Sequence, residues 1–323
     1  MSTILEVKDL KKYFPIRGTS VGPGRQFVRA VDGIDLALEE GETLGLVGES
    51  GCGKSTAGKC ILRLIKPTSG QVLLRGEDIL HKSRSEMRKI RSEMQIIFQD
   101  PFASLNPRMT VGQTVEESVK INLKLRKKER VDQVVRLLQD VGLGAEDYNK
   151  YPHEFSGGQR QRVGIARALA VHPKIIIADE PVSALDVSIR AQVLNLLEEL
   201  KERYKLTYLF VSHDLSVVEY ICDRVAVMYL GKIMEIADRD DLYGSPLHPY
   251  SRALLSAVPI PDPTVKRERI PLTGEIPSAS NPPPGCLFHT RCPERFDPCD
   301  KIEPPLVPKE NNRFVRCLLY GGF

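Results

Sequence analysis

Gly48-Glu49-Ser50-Gly51-Cys52-Gly53-Lys54-Ser55 is the run whose residue types and spacing most directly imply chemistry. Its glycines let the backbone curl until successive N–H groups point inward at an anion, and a following helix N-terminus adds partial positive charge. Such a loop holds nucleoside triphosphate: Lys54 reaches the β- and γ-phosphates, and the Ser55 hydroxyl ligates Mg²⁺. The strand-like stretch Thr43–Val47 precedes it and a helix-compatible segment opens near Thr56, the order a phosphate loop requires.

Two further runs carry complementary chemistry. Ile175-Ile176-Ile177-Ala178 reads as a buried strand that ends in Asp179-Glu180. A carboxylate delivered at a strand's C-terminal end holds Mg²⁺ and its waters, and a second one beside it can polarise an attacking water. On their own, two acidic residues after a strand are more often a solvated strand end; the upstream loop reverses that balance. Ser156-Gly157-Gly158-Gln159 precedes a helical stretch from Arg160 to Val171, so a serine N-cap and two glycines offer a second anion nest.

The positioning elements follow from periodicity. Residues 1–98 form a β-rich opening, with strands expected at Val28–Leu38, Thr43–Val47, Gln71–Leu74 and Met94–Phe98. From about 100 to 165 the pattern turns helical, and Val131, Val134, Val135, Leu137, Leu138 and Val141 form an apolar stripe suited to core. Strands at Lys174–Ala178 and Thr207–Val211 flank a helix around Ile189–Tyr204, an alternation that implies a parallel α/β sheet. Near Leu242 the composition shifts: a proline-rich connector, Pro259–Pro284, leads to a cysteine- and proline-rich tail. The expected division is 1–241 for the nucleotide-binding domain and 242–323 for a small extension.

A net charge of +4 in 323 residues is too mild to argue for nucleic acid, and 41% hydrophobic with 27% charged residues is ordinary globular composition. No apolar run approaches the ~20 residues that cross a bilayer, and no signal-peptide core opens the chain, so a soluble cytoplasmic protein is expected. Of seven cysteines, Cys52 lies in the phosphate loop and Cys60 and Cys222 in apolar segments. Cys286, Cys292, Cys299 and Cys317 crowd the tail, with five, six and seventeen residues between them. In a reducing compartment that clustering suggests metal before disulfide. No pair has the close Cys-x₂₋₄-Cys spacing of structural zinc, so a [4Fe–4S] cluster is preferred, with zinc, and free thiols without metal, as the alternatives. The role would be to fasten a tail too short for a core of its own.

In order, these motifs resemble the ATP-binding cassette ATPases: Phe14, Gly48–Ser55 with Thr56, Gln99 in Phe98-Gln99-Asp100-Pro101, Phe155-Ser156-Gly157-Gly158-Gln159, Asp179-Glu180, Ser183-Ala184-Leu185-Asp186, and His213 in Val211-Ser212-His213-Asp214. The family carries Leu where this chain has Phe155. The resemblance implies an α/β phosphate-loop cassette with a helical subdomain. It implies that Phe14, or Tyr13 if the register is off by one, stacks on adenine, that Gln99 ligates Mg²⁺ and senses the γ-phosphate, that Glu180 is general base, and that His213 contacts the γ-phosphate. It also implies head-to-tail packing of two cassettes, in which Ser156, Gly157, Gly158 and Gln159 cover the partner's ATP beside Asp186.

Leu247-His248-Pro249-Tyr250 and Pro283–Pro293 resemble the tail of ATPases from bacterial oligopeptide and dipeptide importers. That resemblance implies two permease subunits, a second similar ATPase or a homodimer, an external substrate-binding protein, and a peripheral place on the cytoplasmic face of the inner membrane. Nickel or another small solute is the alternative cargo. A cassette acting on nucleic acid or ribosomes would need a long coiled-coil insertion or two cassettes in one chain. A degenerate structural subunit would lack some of Lys54, Asp179, Glu180 and His213, all present here.

Overall fold

The structure, a computed structural model, describes residues 2–16, 26–122, 125–258 and 269–321. The start of the expected connector, 259–268, lies outside them. β1 (Thr3–Pro15), β2 (Phe27–Glu39), β3 (Thr43–Val47), α1 (Lys54–Ile61), β4 (Ser69–Leu74) and β5 (Glu77–Asp78) come first. The middle of the chain holds α2 (Arg84–Glu93), β6 (Met94–Ile97), α3 (Val111–Asn122), α4 (Lys127–Asp140), α5 (Gly157–Leu169), β7 (Ile175–Asp179), α6 (Val187–Tyr204) and β8 (Thr207–Ser212). Then follow α7 (Leu215–Ile221), β9 (Arg224–Tyr229), β10 (Lys232–Asp238), α8 (Arg239–Gly244), α9 (Pro249–Ser256), β11 (Val307–Lys309) and β12 (Arg313–Val315).

These elements gather into two units. The first combines Thr3–Leu38, Thr43–Leu80 and the chain from Ser212 on. Within it, one sheet has the order β2-β1-β4-β5, with β1 and β4 antiparallel in the register Leu5↔Leu74 and Val7↔Val72. A second set is centred on β3, whose five residues are all buried and which runs parallel to β9. A strand buried on both faces reads as a continuous apolar run, and Thr43–Val47 does. β10 pairs antiparallel with β9, and β12 then β11 extend the set with residues from the C-terminal tail.

The second unit combines Met1–Ser2, Glu39–Glu42 and His81–Val211. Its strands β6, β7 and β8 are parallel neighbours, with Met94 opposite Ile175 and Ile177 opposite Leu209. The helical stretch folds as α3, α4 and α5. Val134, Leu137, Leu138 and Val141 of the expected stripe are buried, while Val131 and Val135 are half-buried. Across α3 and α4, Arg130 donates to Glu116 at 2.9 Å and the Tyr148 hydroxyl donates to the same carboxylate at 2.9 Å.

Several elements depart from the sequence expectation, α2 and the β9–β10 hairpin among them. α2 interrupts the β-rich opening; it buries only Met87, so it shows no apolar stripe, and its local signal is the capping box of Ser83 and Glu86. The β9–β10 hairpin lies outside the expected strands, although Val225–Tyr229 followed by Leu230-Gly231 is an apolar run ended by a turn. Among the described residues no helix is long and apolar enough to cross a membrane.

Candidate functional site

β3 delivers the chain into Gly48–Ser55, and α1 leaves it. Gly48 has φ +151°, and a Cβ there would lie 2.1 Å from the Met228 carbonyl oxygen. Gly53, at φ +110°, caps α1, and its Cβ would lie 1.9 Å from the Ala30 carbonyl oxygen. No other residue fits either position. The Lys54 ammonium turns back across the loop, donating to the carbonyls of Gly48 at 2.8 Å and Glu49 at 3.0 Å, with the Cys52 sulfur at 3.8 Å. An ammonium has three donors, so the weak thiol contact is the one a phosphate oxygen would displace. Ser50 and Gly51 form the exposed crest, and Ser55 and Thr56 enter the helix half-buried.

The same unit holds both aromatic candidates and the histidine. Tyr13 and Phe14 are consecutive in β1 and so face opposite ways. Tyr13 donates its hydroxyl to Asp32, and burial with that partner pushes its phenol up. Phe14 is 36% exposed, with the Lys12 ammonium 4.8 Å from its ring centroid. His213 is exposed between β8 and α7, and the next residue, Asp214, caps α7 by accepting the Ser216 and Val217 N–H groups.

In the other unit β7 ends at Asp179, which is 3% exposed. Glu180 follows with φ +48°, a left-handed conformation that a non-glycine residue adopts only when its surroundings hold it. Here its N–H donates to Val211 at 2.9 Å, and its carbonyl accepts the Ser183 hydroxyl at 3.1 Å. The Gln99 amide donates to Glu180 Oε2 at 2.8 Å, a pairing that neither residue's local sequence announces. Ser156 is the N-cap of α5 in a reciprocal capping box with Gln159: each backbone N–H donates to the other's side chain. The Gln159 side chain is thus engaged within its own helix, and Gly157 and Gly158 supply the first-turn N–H groups that the helix itself does not use. Phe155 is 5% exposed, so its place in the motif is apolar anchorage. Asp186 is the exposed N-cap residue of α6.

The tail places Cys286, Cys292, Cys299 and Cys317 around one cavity, together with His248, Phe288, His289 and Phe296. All four are thiols rather than disulfides. Cys286 donates its N–H to the Cys299 carbonyl at 2.8 Å. Burial first, then the neighbouring thiols, push Cys292 up to about 12 and Cys317 up to about 11. Among the described residues no group of three or more His, Cys, Asp or Glu side chains is arranged to hold a single metal ion.

Contacts missed by sequence reasoning join tail to loop. Arg291 forks onto Glu49, and the Tyr250 hydroxyl accepts the Glu49 N–H at 3.0 Å. These partners are far apart in sequence, and no local pattern signals them.

The family described as "ABC transporter" matches residues 31–183, and that described as "Oligopeptide/dipeptide transporter, C-terminal region" matches residues 234–299. The oligopeptide transport ATP-binding protein AppF of Bacillus subtilis is 56% identical over 99% of this chain and 98% of its own length. Among solved structures, a dimeric post-hydrolysis state of the ATP-binding cassette MJ0796, bound to ADP and Pi, superposes with a TM-score of 0.64 at 30% identity. It covers 73% of this chain and 98% of that one. CbiO1 of Clostridium perfringens, part of the transporter complex cbiONQ, gives the same TM-score at 28% identity, over 76% of this chain and 92% of its own.

Proposed function

The chain belongs to the ATP-binding proteins of ABC transporters, and from that premise we propose that it hydrolyses ATP to energise the import of dipeptides or oligopeptides. The observation that carries the cargo class is the joint match of a cassette and an oligopeptide-transporter C-terminal region on one chain. AppF, similar over nearly its whole length, bears an oligopeptide name. Cargo contacts lie on other subunits, so nickel or another small solute remains the competing cargo. Uptake of labelled peptides by cells with and without this gene, against uptake of Ni²⁺, separates them.

In the proposed cycle Lys54 and the loop N–H groups hold the β- and γ-phosphates, and Ser55, Gln99 and Asp179 are the residues that would hold Mg²⁺, whose charge would offset that of the phosphates. Glu180 takes the proton of the attacking water, and the Gln99 amide, already on Glu180, orients that carboxylate. His213 contacts the γ-phosphate, and Phe14 rather than Tyr13 stacks on adenine, because the Phe14 ring is exposed whereas Tyr13 is half-buried and held by Asp32. Ser156, Gly157 and Gly158 of a second cassette, this chain or a similar one, cover the ATP with Asp186 alongside. A helix N-terminus supplied in trans stabilises transferring charge that would otherwise face water. Closing on ATP and loosening after hydrolysis would drive two permease subunits at the cytoplasmic face of the membrane, with an external binding protein delivering cargo. Glu180→Gln should retain nucleotide, accumulate a dimer and lose about 10²–10⁴-fold in turnover, whereas Lys54→Ala should fail at binding. Undiminished turnover in the glutamine variant would remove the base assignment.

For the four cysteines the proposal is an iron–sulfur cluster, and its support is their place around one cavity. The four residues line one cavity, and each corner of a [4Fe–4S] cluster takes one cysteinate. When bound, such a group would supply a covalent staple for the tail. Protein purified without oxygen should be brown and contain iron and sulfide; colourless protein with one zinc per chain would give the site to zinc.

A further inference from the structure

Arg291 stands immediately before Cys292, yet its guanidinium lies on the phosphate loop. Nη1 donates to Glu49 Oε2 at 2.7 Å and Nη2 to Oε1 at 2.9 Å, a bidentate fork. Arg291 is 7% exposed and Glu49 is half-buried, so the pair is screened less than a surface ion pair. Every polar group of Glu49 is engaged: its N–H by the Tyr250 hydroxyl, its carbonyl by Lys54, its carboxylate by Arg291. Behind the fork, Tyr250 packs 4.7 Å from Tyr229 and 5.3 Å from Phe288, ring centre to ring centre. Phe288 lines the four-cysteine cavity, between Cys286 and Cys292 in sequence.

Two physical consequences follow. A carboxylate in a loop that receives polyphosphate repels its ligand unless a cation neutralises it, and Arg291 does so with both oxygens held. The loop also carries left-handed glycines that must be kept in place before the phosphates arrive, and Glu49, pinned on three sides, fixes the residue next to Gly48. Two of the three supports, Arg291 and Tyr250, come from outside the loop, and Arg291 is covalently joined to a residue of the four-cysteine site.

We propose that Arg291 is a positioning residue for the phosphate loop, and that the four-cysteine site governs nucleotide affinity through it. The proposal rests on the reading of Gly48–Ser55 as the nucleotide site, and its second half on Cys292 being a ligand of the proposed group.

The test is equilibrium binding of a fluorescent, non-hydrolysable ATP analogue with Mg²⁺ to the full chain purified without oxygen. Arg291→Met, which unpins the loop and leaves the Glu49 carboxylate unneutralised, should weaken binding about tenfold; Glu49→Gln, which unpins the loop but removes that repulsion, should weaken it about threefold; and the double variant should be no weaker than Arg291→Met. Arg291→Lys, which keeps the charge without the fork, should recover only part of the loss. Cys292→Ser should weaken binding to a similar extent and add nothing in the Arg291→Met background. Circular dichroism and thermal melting identify a variant that fails to fold; should Arg291→Met fail so, Glu49→Gln, on the more exposed partner, carries the test. If both bind within twofold of the parent while Lys54→Ala does not bind, the positioning role is overturned and the nucleotide site stands. If Lys54→Ala binds normally, the nucleotide-site reading itself has failed. Multiplicative losses for Cys292→Ser and Arg291→Met would overturn the link to the cysteines.

Discussion

Glu180 carries two constraints that a solvated strand end would not: a left-handed backbone and the Gln99 amide on its carboxylate at 2.8 Å. The first aims the side chain and the second holds it, which together is what a general base needs before water arrives. Removing the amide should leave the carboxylate present but poorly aimed. Gln99→Ala is therefore expected to lower kcat roughly tenfold or more while nucleotide affinity changes much less, a split that steady-state kinetics with direct binding reads. Equal losses in both would make Gln99 chiefly a binding residue. At Gly53 the constraint is steric rather than electrostatic. A Cβ 1.9 Å from the Ala30 carbonyl oxygen cannot be accommodated by a rotamer change, so Gly53→Ala should abolish nucleotide binding while far-UV circular dichroism changes little.

Between α3 and α4 the apolar stripe is reinforced by a polar tie. Burial pushes the Glu116 carboxyl up, but the bonds from Arg130 and Tyr148 outweigh it, so the group lies below the usual carboxylate range. A depressed folded pKa gives stability that is present above the unfolded value and is lost as pH falls through the folded one. Glu116→Gln should thus cost about 1 kcal/mol at neutral pH, a figure discounted for the solvent that reaches the pair, and nothing once the parent's carboxyl is protonated. Thermal melts of both proteins from pH 7 downward should converge in acid; parallel curves would show that the tie contributes nothing to acid sensitivity. The apolar stripe here was legible because it is local: α4 repeats its own pattern every turn. Thr43–Val47 was legible for the same reason, as a buried run five residues long that matches β3 end to end. α2 was not, since a helix burying one residue has a polar sequence. Gln99 with Glu180, and Arg291 with Glu49, were invisible because side-chain pairing across long separations leaves no periodic trace. The four cysteines lie between: their clustering was visible in sequence, their shared cavity only in the fold.

At the scale of the molecule, the C-terminal tail is woven into the unit that carries the phosphate loop. Arg313 of β12 reaches Glu235 of β10 at 3.1 Å, and Glu235 is fully buried. The remaining lone pairs of that carboxylate accept the N–H groups of Leu247 at 2.8 Å and His248 at 2.9 Å. Arg313 also donates to the Ser245 carbonyl at 2.6 Å, so one guanidinium ties the tail to the strand and to the turn before α9. Nearby, Arg252 donates to Glu294 at 2.6 Å and to the Tyr320 hydroxyl at 2.7 Å. A buried carboxylate deprived of its cation keeps its desolvation cost without the compensating attraction, so breaking such a pair costs about 3–5 kcal/mol, more than replacing both partners. Arg313→Met is expected to lose that much in chemical denaturation, whereas Arg313→Met with Glu235→Gln should recover part of it, the glutamine still meeting the Leu247 or His248 N–H. A chain ended at residue 258 removes β12 and the cation together and exposes the β10 edge, so it should be insoluble or aggregate at concentrations where the full chain is monodisperse. If instead that shortened chain is soluble, melts cooperatively and binds nucleotide as the full chain does, then the tail is an appendage, and neither the Arg313–Glu235 pair nor the Arg291–Glu49 fork supports the cassette.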